Sequence, residues 1–386
     1  MNPDPIPSFI ELRQRLFSEF VQLMERPSAI QEQDVFPFLE KRATGYILAS
    51  LQKMGWKFDL ERSFSTAQMA STLSVIKRHH RLLERFLIIL ADDGMLRRSD
   101  SLWETIHAPA SPEFNDRAHS LFRSDPQVLL LDRCGSALPE VLQGKCDPLQ
   151  LLFPNGDSTV IGQVYRDAPG WREFDILIEK TIAHLLQRRP ATERYRILEI
   201  GAGTGGATYR LLPSLSRRRT EYAFTDVFSE LLLEAQEKFR GYDFLEYRTL
   251  NIELDPQKQG FNFSHYDLAI AANVFHATAD LARTIRNTRQ LLKPEGCLIL
   301  FELAAPIRWI DLVFGTMQGW WRFTDTDLRP SHPLMPAAAW IEMLNRGGFE
   351  QAFSISTDDL AIAGASVRRQ ALPASLIVAK AAGGKA

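Results

Sequence analysis

A chain of 386 residues with 45% hydrophobic and 24% charged side chains has the apolar content for a real core and the length for two domains. Its formal net charge is −2 and its basic residues are scattered, which argues against a nucleic-acid-binding protein. Cys134, Cys146 and Cys297 lack metal-ligand spacing and fit a reducing compartment, no apolar run approaches the ~20 residues of a membrane span, and MNPDPIPSFI lacks a signal-peptide pattern, so a soluble cytoplasmic protein is expected.

The first half reads as helical. Residues 8–25 place Phe9, Leu12, Leu16, Phe20 and Leu23 at helical spacing, and Asp34 to Met54 repeats the pattern. Ser65 is an N-cap candidate for a short helix ending near Leu73, a second helix spans about Arg78 to Asp93 with Gly94 as terminator, and Met95–Ile106 suits a hairpin. That order is winged-helix-like, and Lys77, Arg78, His79, His80, Arg81 and Arg85 form a basic cluster. Glu84, Asp92, Asp93 and Glu104 dilute its field, so a solvated or packed face is the expectation. Residues 116–153 read as helix broken by Gly135, Pro139, Gly144 and Pro148. The turn-rich FPNGDS (153–158) places a domain boundary there, with a helical domain over 1–155 and a second domain over 156–386. A helix from Trp171 to Gln187 follows.

Beyond it, strand and helix patterns alternate. Apolar runs at 195–200, 222–225, 244–250, 266–272, 297–303, 349–354 and 375–379 are interleaved with helices near 229–239, 281–292 and 336–346. This predicts an α/β fold with a mainly parallel sheet covered on both faces, its ligand at the carboxyl ends of the strands. The terminal pair of runs suggests an antiparallel last strand.

The strand YRILEI runs into GAGTGGAT, where Gly201, Gly203, Gly205 and Gly206 permit a tight turn and close approach of a ligand at a helix start. The letters satisfy the dinucleotide signature too, so the turn alone says only that a nucleotide-like ligand binds. Asp226 ends the second strand, where a carboxylate accepts from ribose hydroxyls, and Asn251 ends the third, where an amide suits a purine edge. Glu199 stands two residues before the first glycine and tips the balance from a dinucleotide to S-adenosylmethionine, whose ammonium, ribose and adenine suit Glu199, Asp226 and Asn251 in turn. Glu302 follows the apolar CLILF and needs a partner; His276, beyond the neighbouring strand, is the candidate. A histidine oriented by a carboxylate is a general base near neutral pH.

Five segments together, ILEIGAGTGGAT, YAFTDVF, YDLAIAANVFHAT, LLKPEGCLILFE and FGTMQGWW, resemble the C-methyltransferase domain of polyketide synthases. DPLQLLFPNGD and VYRDAP upstream are also similar, and LNIE stands where the family commonly has LDIE. The resemblance implies a Rossmann-like class I methyltransferase core, a seven-stranded mostly parallel sheet with an antiparallel last strand, preceded by a mainly helical lid domain. It implies S-adenosylmethionine as methyl donor, held by Tyr165, Glu199, Gly201, Gly203, Thr204, Gly205, Asp226, Val227, Asn251, Ile252 and Asn273, with S-adenosylhomocysteine as product and no metal. His276 is then the base and Glu302 its partner, in methylation of the α-carbon of a β-ketoacyl thioester on an acyl carrier protein. Phe314, Gln318 and Trp321, read as lying on a helix after the fifth strand, would line the acyl path. The expected partners are a phosphopantetheine-bound acyl carrier protein and other synthase domains, with neither nucleic acid nor membrane. O-methylation of a carrier-bound hydroxyl or enol is the alternative.

Overall fold

The computed structural model describes residues 9–26, 35–60, 62–108, 114, 116–187, 190, 192–362 and 372–383; the MNPDPIPS start, Asp34, Arg188 and Arg189 lie outside the described residues. Two compact units are present, a helical unit of residues 33–164 and 306–321 and a sheet unit of residues 1–32, 165–305 and 322–386. The single boundary expected at 155/156 therefore gives way to an exchange of segments.

The helical unit contains helices Val35–Lys53, Thr66–Thr72, His80–Asp92 and Pro126–Ser136 and a small antiparallel sheet. Its strands are β1 (Ser63–Phe64), β2 (Leu96–Ser99) and β3 (Leu102–Thr105), in the order β1-β3-β2. Ser65 caps Thr66–Thr72 in a reciprocal capping box with Gln68. Gly94, at φ 72°, ends the helix His80–Asp92 in the left-handed conformation that a side chain would resist. Gly135 is not a helix breaker. It lies inside Pro126–Ser136, where a Cβ would stand 2.3 Å from the Tyr46 ring. The breaks fall on either side of this helix, at Ala137, its C-cap, and at Asp125, whose carboxylate accepts from the N–H groups of Gln127 and Val128.

The winged-helix-like order is real, but its basic cluster is used within the unit. Arg81 donates to the carbonyl of Trp321, Arg85 pairs with Asp311 at 2.7 Å, and buried His79 is pushed down to about 4 by desolvation and the adjacent Arg78. These contacts, with Arg308 on Asp93 and Glu40 accepting from the N–H groups of Arg308 and Trp309, tie residues 306–321 into the helical unit. Within that segment the helix expected through Trp321 stops at Val313, followed by a single 3-10 turn at Phe314–Thr316.

The sheet unit holds β4 (Tyr195–Ile200), β5 (Thr220–Asp226), β6 (Leu245–Thr249), β7 (Tyr266–Ala272), β8 (Leu292–Leu303), β9 (Phe349–Ser356) and β10 (Ala374–Ala381), in the order β6-β5-β4-β7-β8-β10-β9. The pairings from β6 through β8 are parallel, and β10 lies antiparallel to both β8 and β9. This is the sheet the resemblance implies. The near-continuous apolar runs of the central strands follow from burial on both faces. Leu198, Ala269, Leu298 and Leu300 are wholly enclosed, and Phe174 of the helix Trp171–Leu186 stacks on Phe301 at 4.8 Å. The first helix, Phe9–Met24, belongs to this unit because Phe20 meets Phe174, Phe9 meets Phe353, and Glu19 pairs with Lys180 and His184. No helix among the described residues is long and apolar enough to cross a membrane.

Candidate active site

Register sets the site. Ile200 is aligned with Thr225 on one side and Ala271 on the other, and Ala272 with Phe301. The glycine turn, Asp226, the His276 turn and Glu302 therefore all emerge at one sheet edge. Gly201, Gly203 and Gly205 have φ of 64°, 57° and 75°, values that L side chains rarely adopt. Below them lies a cavity of about 120 Å³ lined by residues that include Tyr165, Asp175, Glu199, Thr204 and Asn273.

Its chemistry is acidic. Glu199 is buried, and its Oε2 accepts from the hydroxyls of Thr208 at 2.5 Å and Tyr222 at 2.7 Å. Burial pushes this carboxyl up to about 7, against the pull of those two hydroxyls. Asp175, also buried, is raised well above the usual carboxylate range by desolvation, and its Oδ2 has no hydrogen-bond partner among the described residues. Thr204 Oγ1 is likewise unpartnered. Buried oxygens left unpaired at a cavity wall are costly alone and suit a ligand that brings donors or a positive charge. Asp175 was not anticipated from sequence. Its signal was its place on the apolar face of Trp171–Leu186, one residue after Phe174 and four after Trp171.

Native Glu199 holds its proton more tightly than an unfolded glutamate does. Its contribution to stability is fully favourable below the unfolded value of 4.5 and is lost as pH rises to about 7. The span corresponds to roughly 3 kcal/mol. Glu199→Gln should therefore flatten the decline of urea stability between pH 5 and 7; a slope equal to that of the parent would refute the assignment.

Asp226 is buried, and desolvation raises its carboxyl while the N–H groups of Phe228 at 3.0 Å and Gly203 at 2.9 Å oppose the rise. It thus braces the glycine turn and does not cap Ser229–Lys238, whose N-cap, Phe228, has no side-chain bond. Val227 beside it is exposed. Asn251 spends its Oδ1 on the Glu253 N–H and its own N–H on Gln259, while the Ile252 side chain joins the core. Asn273 adopts φ 56° and its Oδ1 accepts from the Leu303 N–H. Tyr165 is half-buried, desolvation raises its phenol, and it meets Trp171 edge-on.

His276 and Glu302 do form a pair. Nδ1 lies 2.6 Å from Oε2, with Glu302 fully enclosed and His276 nearly so. The other carboxylate oxygen accepts from the N–H groups of Val274 at 3.1 Å and Phe275 at 2.7 Å. A carboxylate at Nδ1 fixes the proton there and makes Nε2 the basic nitrogen of the neutral imidazole. Phe314, Gln318 and Trp321 belong to the helical unit, where Phe314 stacks with Trp320 and the Trp321 indole donates to the Gly315 carbonyl. Among the described residues no group of histidine, cysteine and acidic side chains could hold a metal.

The glycine turn and the His276 turn lie against each other. A Cβ on Gly201 would stand 2.7 Å from Cγ2 of Val274, two residues before His276. Gly201→Ala should lower thermal stability, by about 1–3 kcal/mol from overpacking and left-handed strain, and weaken binding of any ligand seated at the turn. A parental melting curve would show that the turn yields freely.

Residues 198–298 match the methyltransferase domain family. The crystal structure of the CurJ carbon methyltransferase is 38% identical, covers 97% of this chain and 99% of its own, and superposes with a TM-score of 0.89. The citrinin polyketide synthase CMeT domain is 25% identical with 98% of each chain covered and a TM-score of 0.83. The non-reducing polyketide synthase mapC of Penicillium roqueforti is 34% identical over 329 residues, which is 82% of this chain and 13% of that protein. The chain thus spans about an eighth of the length of such curated relatives. With the sheet order, the glycine turn and the His276–Glu302 pair in place, these likenesses show that the chain belongs to the C-methyltransferase domains of polyketide synthases, a family of S-adenosylmethionine-dependent enzymes.

Proposed function

We propose that this domain methylates the α-carbon of a β-ketoacyl group carried as a thioester on an acyl carrier protein, with S-adenosylmethionine as donor. The observation that carries the reading is the enclosed His276–Glu302 pair, set three residues beyond Asn273 and one beyond Phe301, both of which line the acidic cavity. The cavity residues fit the donor's amino-acid end, because Asp175 and Glu199 offer carboxylate to an ammonium and Thr204 an unpaired hydroxyl. Asp226 would take the ribose hydroxyls, with exposed Val227 beside it offering apolar surface to the base. When bound, the donor supplies a methyl already activated by the sulfonium charge.

His276 Nε2 takes the proton from a carbon made acidic by two flanking carbonyls. The resulting enolate carbon forms the new bond to methyl as the carbon–sulfur bond breaks, and sulfur leaves as a neutral thioether. Glu302 holds the ring in the tautomer required and offsets the imidazolium that forms. Phe314, Gln318 and Trp321 are proposed acyl contacts, and the surrounding synthase domains supply the carrier. The test is mass spectrometry of a β-ketoacyl carrier protein incubated with enzyme and S-adenosylmethionine. One added methyl on the α-carbon by fragmentation is expected; methyl on oxygen would make the enzyme an O-methyltransferase.

A further inference from the structure

The turn that carries His276 is held from two sides by opposite kinds of group. Glu302 takes its N–H groups, at Val274 and Phe275. Its carbonyls go to two arginines from one short segment, residues 322–329. Arg329 donates through Nη1 to the carbonyl of His276 at 2.8 Å and through Nη2 to that of Thr278 at 2.9 Å, with a longer bond to Ala279 at 3.3 Å. Arg322 donates to the carbonyl of Ala277 at 3.0 Å. Four successive carbonyls, from His276 to Ala279, are thus bound by guanidinium.

The two arginines differ. Arg322 is exposed and also pairs with Glu253, whose Oε1 accepts from the Ala279 N–H. Arg329 is 1% exposed, and its bonded carboxylate is Asp325, which receives Nε at 2.7 Å and, on its other oxygen, the Leu281 N–H. Desolvation pulls the Arg329 guanidinium below its usual range, while Asp325, Glu302 and Asp280 hold it charged. Enclosing a guanidinium is expensive, and an apolar side chain of like volume serves packing as well or better. What an apolar residue cannot do is fix two carbonyls of one turn with a rigid fork, or place a cation in the field of Glu302.

We propose that Arg329 is a positioning residue for the His276 base: its fork fixes the backbone of residues 276–278, and its charge shares Glu302 with the imidazole. The second effect sets two cationic groups in competition for one carboxylate. The proposal rests on the reading of His276 as the base. The groups bearing on this balance are Glu302 on β8, Asp325 and Arg329 on the 322–329 segment, Asp280 at the start of the following helix, and the Glu253–Arg322 pair.

The test compares Arg329→Met and Arg329→Lys with the parent domain. S-adenosylhomocysteine binding by calorimetry reports an intact donor site, and steady-state transfer to a β-ketoacyl carrier protein is followed across pH. Arg329→Met should bind S-adenosylhomocysteine within about threefold of the parent and lose at least ~10-fold in kcat, with KM for the acyl carrier little changed, as small misplacements of a reacting group are costly. The acid limb of its kcat profile should move to higher pH. Arg329→Lys keeps the charge without the fork, so kcat should fall while the limb stays in place. Parental kcat in either variant overturns the proposal, as does a loss in Arg329→Met with an unmoved acid limb, which would leave only a structural role. If Arg329→Met fails to fold, kcat of Arg329→Lys decides alone. A parent that binds S-adenosylhomocysteine yet methylates no β-ketoacyl carrier protein would instead sink the substrate reading beneath it.

Discussion

His276→Ala should bind S-adenosylmethionine with near-parental affinity and lose at least ~100-fold in methyl transfer. The lower end of what a general base contributes sets that figure. Affinity survives because the donor's proposed contacts, Asp175, Glu199, Thr204 and Asp226, lie on elements other than the turn that carries the imidazole. Glu302→Gln should cost less in rate than His276→Ala, since the imidazole remains and the one amide oxygen can still accept either from Nδ1 or from the Val274 and Phe275 N–H groups. It should cost something in stability, because the amide's other half brings N–H where the enclosed oxygens now only accept. Calorimetry with S-adenosylhomocysteine and single-turnover methyl transfer separate the two effects. Near-normal turnover by His276→Ala would remove the pair from the chemistry.

Arg85→Ala should destabilise the protein by about 3–5 kcal/mol, the range for removing one partner of an enclosed ion pair. Asp311 is wholly buried and Arg85 nearly so, at 2.7 Å. Without the guanidinium the carboxylate keeps its desolvation cost and loses its main compensation. The expected fall in melting temperature is on the order of 10 °C. Arg85→Met combined with Asp311→Leu should recover most of the loss, because an apolar pair carries no such cost. The pair also holds the segment that bears Phe314, Gln318 and Trp321, so Arg85→Ala should raise KM for an acyl substrate if those residues contact it. Denaturation midpoints within 1 kcal/mol of the parent would show that Arg85 is solvated in solution.

Much of this was legible in the chain because it depends on local constraints. The runs at Tyr195–Ile200 and Tyr266–Ala272 are continuous because both faces of a parallel strand are buried, so their position and type could be read directly. Ser65 with Gln68, and Gly94 after His80–Asp92, are short-range caps whose partners lie within a few residues. The dyad could be proposed because His276 follows the end of one strand and Glu302 lies at the end of its neighbour, and neighbouring parallel strands bring such ends together.

What the sequence determined by itself was the order of elements, the glycine turn and the meeting of His276 with Glu302, since each follows from the position of residues relative to the strands. The tertiary structure alone decided which segments share a unit, because the ion pairs Arg85–Asp311 and Glu19–Lys180 join residues with no sequence relation. It alone showed that Gly135 makes room for Tyr46, since the clash is with a ring on another helix. Asp175 at the cavity and Arg329 behind His276 were hidden for the same reason. A buried charge is intelligible only through the groups that face it, and folding, not sequence proximity, chooses those groups.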